Sequence, residues 1–140
     1  MSIKIFYDDI KFRLSESKKV KVLIDRIISN KGKKSGEVNF IFTSGISLFE
    51  LNKQFLKHYY YTDVIAFNYN MGDIINGEIY ISYEDVKKNS NYYNVSLKNE
   101  ILRVMIHGVL HLCGYDDSTE SQVREMRVEE GRWLNYFEVL

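Results

Sequence analysis

Two of the chain's three histidines fall in one short segment, His107-Gly108-Val109-Leu110-His111, which continues as Leu112-Cys113-Gly114-Tyr115-Asp116-Asp117. On a helix, positions four apart point within roughly 40° of each other, one turn along the axis. His107 and His111 can therefore donate to the same metal ion. A straight continuation of that helix would leave Asp117 about 9 Å beyond His111 and on another face. The helix must stop for a carboxylate to join, and Gly114 suits the left-handed residue that ends one. Tyr115 and Asp116 then turn the chain, and Asp117 reads as the third ligand, with Asp116 its rival. Asp117 also reads as an N-cap of the next helix, with Glu120 three residues on.

Two imidazoles and one carboxylate leave a fourth position for water, as in catalytic zinc sites; structural sites close all four, mostly with cysteine. Cys113 is the only cysteine, which excludes a thiolate-closed site and an intrachain disulfide. The expectation is a hydrolytic centre holding one zinc ion per chain, with other divalent metals admitted because a carboxylate also suits harder ions. Metalloproteases built on a His-Glu-x-x-His helix place a glutamate directly after the first histidine. Gly108 occupies that position, which argues against a protease. The two-histidine, one-carboxylate iron oxygenases are a further metal class, but their triads are normally mounted on barrel strands.

The elements that would carry these residues can be read from periodicity. Leu97, Glu100, Ile101, Val104, Met105 and Gly108 follow helical spacing, with Ser96 as N-cap, so a helix is expected over 96–113. Ahead of it, strands are expected over 2–7, 37–43, 62–68 and 77–83, where apolar residues alternate or form short runs. Helices are expected over 17–29, 47–58 and 84–88, and a last one over 118–137 with Val123, Met126, Trp133, Leu134 and Phe137 as its apolar stripe. Segments 31–36 and 70–76 read as polar connections. The order β, α, β, α, β, β and then helices predicts a single α+β domain over 1–140. Its frame would be a four-stranded mixed sheet packed with helices, with the metal site on a central helix.

Composition narrows the partners. No apolar run has transmembrane length or signal-peptide form, and the absence of disulfides fits a reducing, cytoplasmic setting. Net charge is zero, yet residues 1–70 hold 12 Lys/Arg against 7 Asp/Glu, and residues 71–140 the reverse. The excess lies in Lys11, Arg13, Lys18, Lys19 and Lys21, and again in Lys31, Lys33 and Lys34. These residues are either a solvated face or a track for a phosphate backbone.

The pattern from His107 to Asp116 resembles the signature of the YbeY family, bacterial zinc-dependent endoribonucleases that act in rRNA maturation. Upstream, Leu51-Asn52 with Thr62-Asp63-Val64-Ile65-Ala66-Phe67 is similar to a second block of that family. Gly72-Asp73-Ile74 with Ile79-Tyr80-Ile81-Ser82 is similar to a third, with 75–78 as an apparent insertion. The resemblance implies a single-strand-specific endoribonuclease processing the 3′ end of small-subunit rRNA and serving ribosome quality control, with RNA and the ribosome as partners. It implies His107 and His111 as catalytic ligands and places Asp117 where the family usually has a third histidine. It places Leu56 where the family usually has an arginine facing phosphate, so substrate contacts are expected instead from Lys57, His58 and Thr62. Asp116 and His58 are the candidate general bases. A metal-stabilised, non-catalytic ribosome assembly factor and a metallohydrolase on a non-RNA substrate are the alternatives.

Overall fold

The structure, a computed structural model, describes residues 2–57 and 62–140. The elements are β1 (Ser2–Tyr7), α1 (Ser17–Asn30), β2 (Lys34–Thr43), α2 (Gly45–Phe55), β3 (Val64–Asn68), β4 (Ile74–Ser82), α3 (Tyr83–Tyr92), α4 (Leu97–Leu112) and α5 (Glu120–Val139). They form the expected α+β arrangement, with one mixed sheet of order β1-β2-β4-β3. β1 and β4 each run parallel to β2, and β3 runs antiparallel to β4 at the edge. Parallel neighbours need a long crossover, and α1 supplies the one between β1 and β2.

Alternation produces the sheet's covered face. Val38, Phe40 and Phe42 of β2 and Ile75, Ile79 and Ile81 of β4 are buried. The α1 stripe Val20, Leu23, Ile24, Ile27 and Ile28 has no exposed surface at all. α4 is buried on almost every side, through Ile101, Val104, Met105, Ile106, Val109 and Leu110, because it packs against α1, α3, α5, β3 and β4. A helix enclosed in this way gives its side chains little freedom to move.

Several boundaries differ from the sequence reading. β2 starts at Lys34 instead of 37, because Lys34 and Ser35 pair with Ile74 and Ile75 before a register shift. β4 starts at Ile74 instead of 77, so 75–78 are strand residues. Asn76 looked like a turn residue, but its side-chain carbonyl accepts from the Glu37 N–H across the sheet (2.8 Å). α2 begins earlier than expected, after Ser44, whose hydroxyl caps Ser47 N–H. α3 runs on to Tyr92, well past 88.

Gly108 sits where α4 crosses β4. A Cβ there would lie 2.8 Å from Ile79 Cγ2, so only glycine allows this approach. Gly131, inside α5, has open space around it. Gly108→Val should therefore lower the unfolding free energy by about 1–3 kcal/mol through overpacking. Gly131→Ala should raise it by up to about 1 kcal/mol through helix propensity. Urea denaturation of both variants beside the parent checks the pair of signs.

Candidate metal centre

α4 begins as the sequence predicts, with the Ser96 hydroxyl accepting from Asn99 N–H. It ends at Leu112, and Gly114 takes a φ of +102°. Gly114 N–H donates to the His111 carbonyl (3.0 Å) and Tyr115 N–H to the Leu110 carbonyl (2.9 Å). That pair of bonds is a Schellman motif, which ties off the helix and reverses the chain.

The reversal brings Asp117 back over the histidines. His107 Nε2 and His111 Nε2 are 3.1 Å apart. Asp117 Oδ2 is 3.5 Å from the first and 3.4 Å from the second. A tetrahedral zinc ion with bonds of about 2.0–2.1 Å has ligand–ligand edges of about 3.3 Å. The three atoms therefore already outline one face of such a site, and His107, His111 and Asp117 form a group able to hold a metal.

The outer ring nitrogens settle the chemistry of the inner ones. His107 Nδ1 is 2.6 Å from Glu130 Oε2. Burial pushes the Glu130 carboxyl up, but its bond to His107 and the charges of His107 and Arg103 more than offset this and hold it below the usual range. An ionised carboxylate can only accept, so His107 Nδ1 carries the proton. His111 Nδ1 is 3.0 Å from the Tyr115 carbonyl, which also can only accept. Each ring thus turns its second nitrogen, Nε2, toward the Asp117 carboxylate. Two ring nitrogens and one carboxylate oxygen converge, a donor set that fits a divalent metal.

Glu130 belongs to a buried chain that the sequence reading missed. Arg103 donates to Glu130 Oε1 (3.1 Å) and to both oxygens of Glu100 (2.9 and 2.5 Å). Glu100 and Glu130 are 1% and 3% exposed, so these charges are stabilised by one another and not by water. The available signal was Glu130 standing in line with Met126, Trp133 and Phe137, the residues that α5 buries.

Other expected residues fall as follows. Asp116 is turned away: its Oδ1 accepts from Asp117 N–H (2.8 Å) and the Ser118 hydroxyl (3.1 Å), which shapes the turn. The N-cap of α5 is Thr119, in a capping box with Gln122, so Asp117 is not spent on capping. Thr62 and Leu56 line the pocket of about 690 Å³ that contains His107, His111 and Asp117. Lys57 is exposed and does not line it. His58 lies outside the described residues. The basic cluster is partly neutralised, since Lys31 meets Glu129, Lys33 meets Asp73 (3.4 Å) and Lys19 meets Glu16 (3.9 Å). Burial raises the Cys113 thiol to about 11, against weaker lowering by Lys31 and Lys33, so it is protonated at neutral pH. Asp63 lines the same pocket as the ligands, a position the sequence did not reveal.

The chain is similar to known proteins over nearly its whole length. The family model described as Endoribonuclease YbeY matches residues 5–138. Among curated relatives, the Endoribonuclease YbeY of Flavobacterium psychrophilum is 41% identical over 134 residues, covering 96% of this chain and 96% of the relative. That of Parabacteroides distasonis is 36% identical, covering 96% and 94%. The solution structure of TM1509 from Thermotoga maritima superposes with a TM-score of 0.67 at 29% identity, covering 96% of this chain and 88% of that one.

Glu130→Gln removes the ionised acceptor of His107 while keeping its shape. It should weaken divalent-metal affinity by about 10–100-fold, the usual effect of losing such a partner. Competition against a chromogenic chelator measures this without any substrate.

Proposed function

The chain belongs to the endoribonuclease YbeY family, and on that premise we propose that it is a metal-dependent endoribonuclease. Its substrate is single-stranded RNA, its setting is the cytoplasm, and its role is maturation of the 3′ end of small-subunit rRNA and quality control on the ribosome. Zinc is the proposed ion. None of the described helices is long and apolar enough to cross a membrane. The observation that carries the reading is the convergence of two imidazole nitrogens and one carboxylate oxygen at the wall of an open pocket.

His107, His111 and Asp117 would hold the ion through His107 Nε2, His111 Nε2 and Asp117 Oδ2. When bound, the ion supplies Lewis acidity, lowering the pKa of a water and polarising a phosphoryl oxygen. Glu130 and the Tyr115 carbonyl keep both rings in the donating tautomer. Val64, Ile65, Ala66 and Leu56 give the pocket an apolar wall against which a nucleotide can lie. Among the described residues the lining carries no lysine or arginine. Leu56 stands where the family pattern has an arginine.

Proton transfer falls to Asp63. Its Oδ2 accepts from Asn89 Nδ2 (3.2 Å). Burial raises its pKa from the ordinary aspartate value, against weaker lowering by Arg103 and His107. A carboxyl raised toward neutrality is better matched to taking and returning a proton than an exposed one. Asp116, engaged in its own turn, does not have this setting. A purely structural role for the metal is disfavoured by the 43% exposure of the Asp117 side chain, which leaves the centre open to substrate.

The test uses a fluorogenic single-stranded RNA and purified, metal-loaded protein. His111→Ala should abolish cleavage, with a loss above about 100-fold, together with metal binding. Asp63→Asn should lower kcat by about 10²–10⁴-fold with metal content unchanged, as expected for loss of a general base. Asp116→Asn should stay within a few-fold of the parent. Cleavage that survives His111→Ala would contradict the proposal.

A further inference from the structure

The reversed turn must hold one atom in place beyond its own hydrogen bonds. The Tyr115 carbonyl is the acceptor that orients His111, and the Schellman bonds fix only the amide side of Tyr115. The rest of Tyr115 is fixed from outside the turn. Its phenol oxygen accepts from Lys31 Nζ (2.8 Å) and donates to Glu129 Oε1 (3.2 Å). Lys31 also pairs directly with Glu129, and its ammonium stands 4.9 Å from the Tyr115 ring centroid.

The cluster is sheltered. The Lys31 and Glu129 side chains are only 14% and 12% exposed. Lys31 follows the last residue of α1 and Glu129 belongs to α5. Three elements distant in sequence thus meet on one phenol, one residue beyond the glycine that ends α4. Burial lowers the Lys31 pKa, but the bonds to Glu129 and Tyr115 more than offset it, so the ammonium stays charged. A sheltered lysine held in this way is not available to track a phosphate backbone.

We propose that Lys31 and Glu129 are positioning residues of the metal centre, acting through Tyr115 on the orientation and tautomer of His111. The two ligand histidines then have separate clamps. Glu130, braced by Arg103 and Glu100, serves His107. Tyr115, braced by Lys31 and Glu129, serves His111. Losing the brace lets the Tyr115 carbonyl swing from His111 Nδ1, and the ring then samples orientations in which Nε2 no longer faces the site. Metal affinity falls even though none of the braces touches the ion.

This inference rests on the metal-site reading above, and the experiment separates the two. Zinc affinity is measured by chelator competition on the full chain for the parent, Lys31→Met, Tyr115→Phe, Glu130→Gln and Val20→Ala. The last removes buried bulk from α1 far along the sequence from the turn. Lys31→Met and Tyr115→Phe should each weaken zinc binding by about tenfold, and their double variant no further. Lys31→Met combined with Glu130→Gln should multiply the two losses, because they act on different rings. Val20→Ala should lower thermal stability with affinity unchanged. In proton–nitrogen spectra of the imidazoles, Lys31→Met should broaden or remove the His111 Nδ1–H signal and keep that of His107. A parent that binds no zinc would overturn both readings. A parent that binds, with Lys31→Met and Tyr115→Phe within twofold of it or Val20→Ala equally weakened, would overturn this inference alone.

Discussion

Two ring nitrogens and one carboxylate oxygen are held within 3.5 Å of one another. Each of these side chains is pinned from behind. His107 is pinned by a buried carboxylate, His111 by a main-chain carbonyl, and Asp117 by a turn whose bonds are satisfied locally. The same pinning leaves the front of each donor free for a cation. The result is a polar concavity able to hold a divalent ion.

The scaffold explains how such a cluster stays in place. α4 is enclosed by three helices and two strands, and it approaches β4 so closely that Gly108 meets Ile79 without room for a side chain. The end of α4 is fixed on a second side, where Asn70, beyond the β3 edge, donates to the Leu112 carbonyl (2.8 Å). The two histidines thus sit on a rigid rod whose last turn is tied to the β3–β4 connection and, through Tyr115, to the α1–α5 pair. A centre built on a packed helix with braced outer contacts keeps its geometry better than one on a free loop. Leu56 adds an apolar side chain to the pocket these ligands face.

Much of the site was legible in the sequence because its determinants are local. Four-residue spacing, a glycine at the helix end and an acid three residues later are short-range features, and each stands where the residues implied. The fold order was legible for the same reason, through alternation in β2 and the stripe of α1. What escaped was set by distance. Glu130 lies 23 residues after His107, and its role appears only when α5 packs on α4. Lys31 read as part of a charged surface because nothing local shows that Glu129 will cover it. Asp116 and Asp117 are chemically identical neighbours, and the turn geometry alone decides that one caps the bend while the other faces His107 and His111. β4 was cut short for a similar reason: Asn76 looks like a turn residue until its side chain is seen bonded to β2.

The central claim is that one ion sits between these three side chains. Anomalous diffraction at the zinc edge, from crystals of protein loaded with one equivalent of zinc, tests it most directly. The account predicts a single peak per chain, about 2.0–2.2 Å from His107 Nε2, His111 Nε2 and an Asp117 carboxylate oxygen. No peak at that position, or a full-occupancy peak on other ligands, would contradict it.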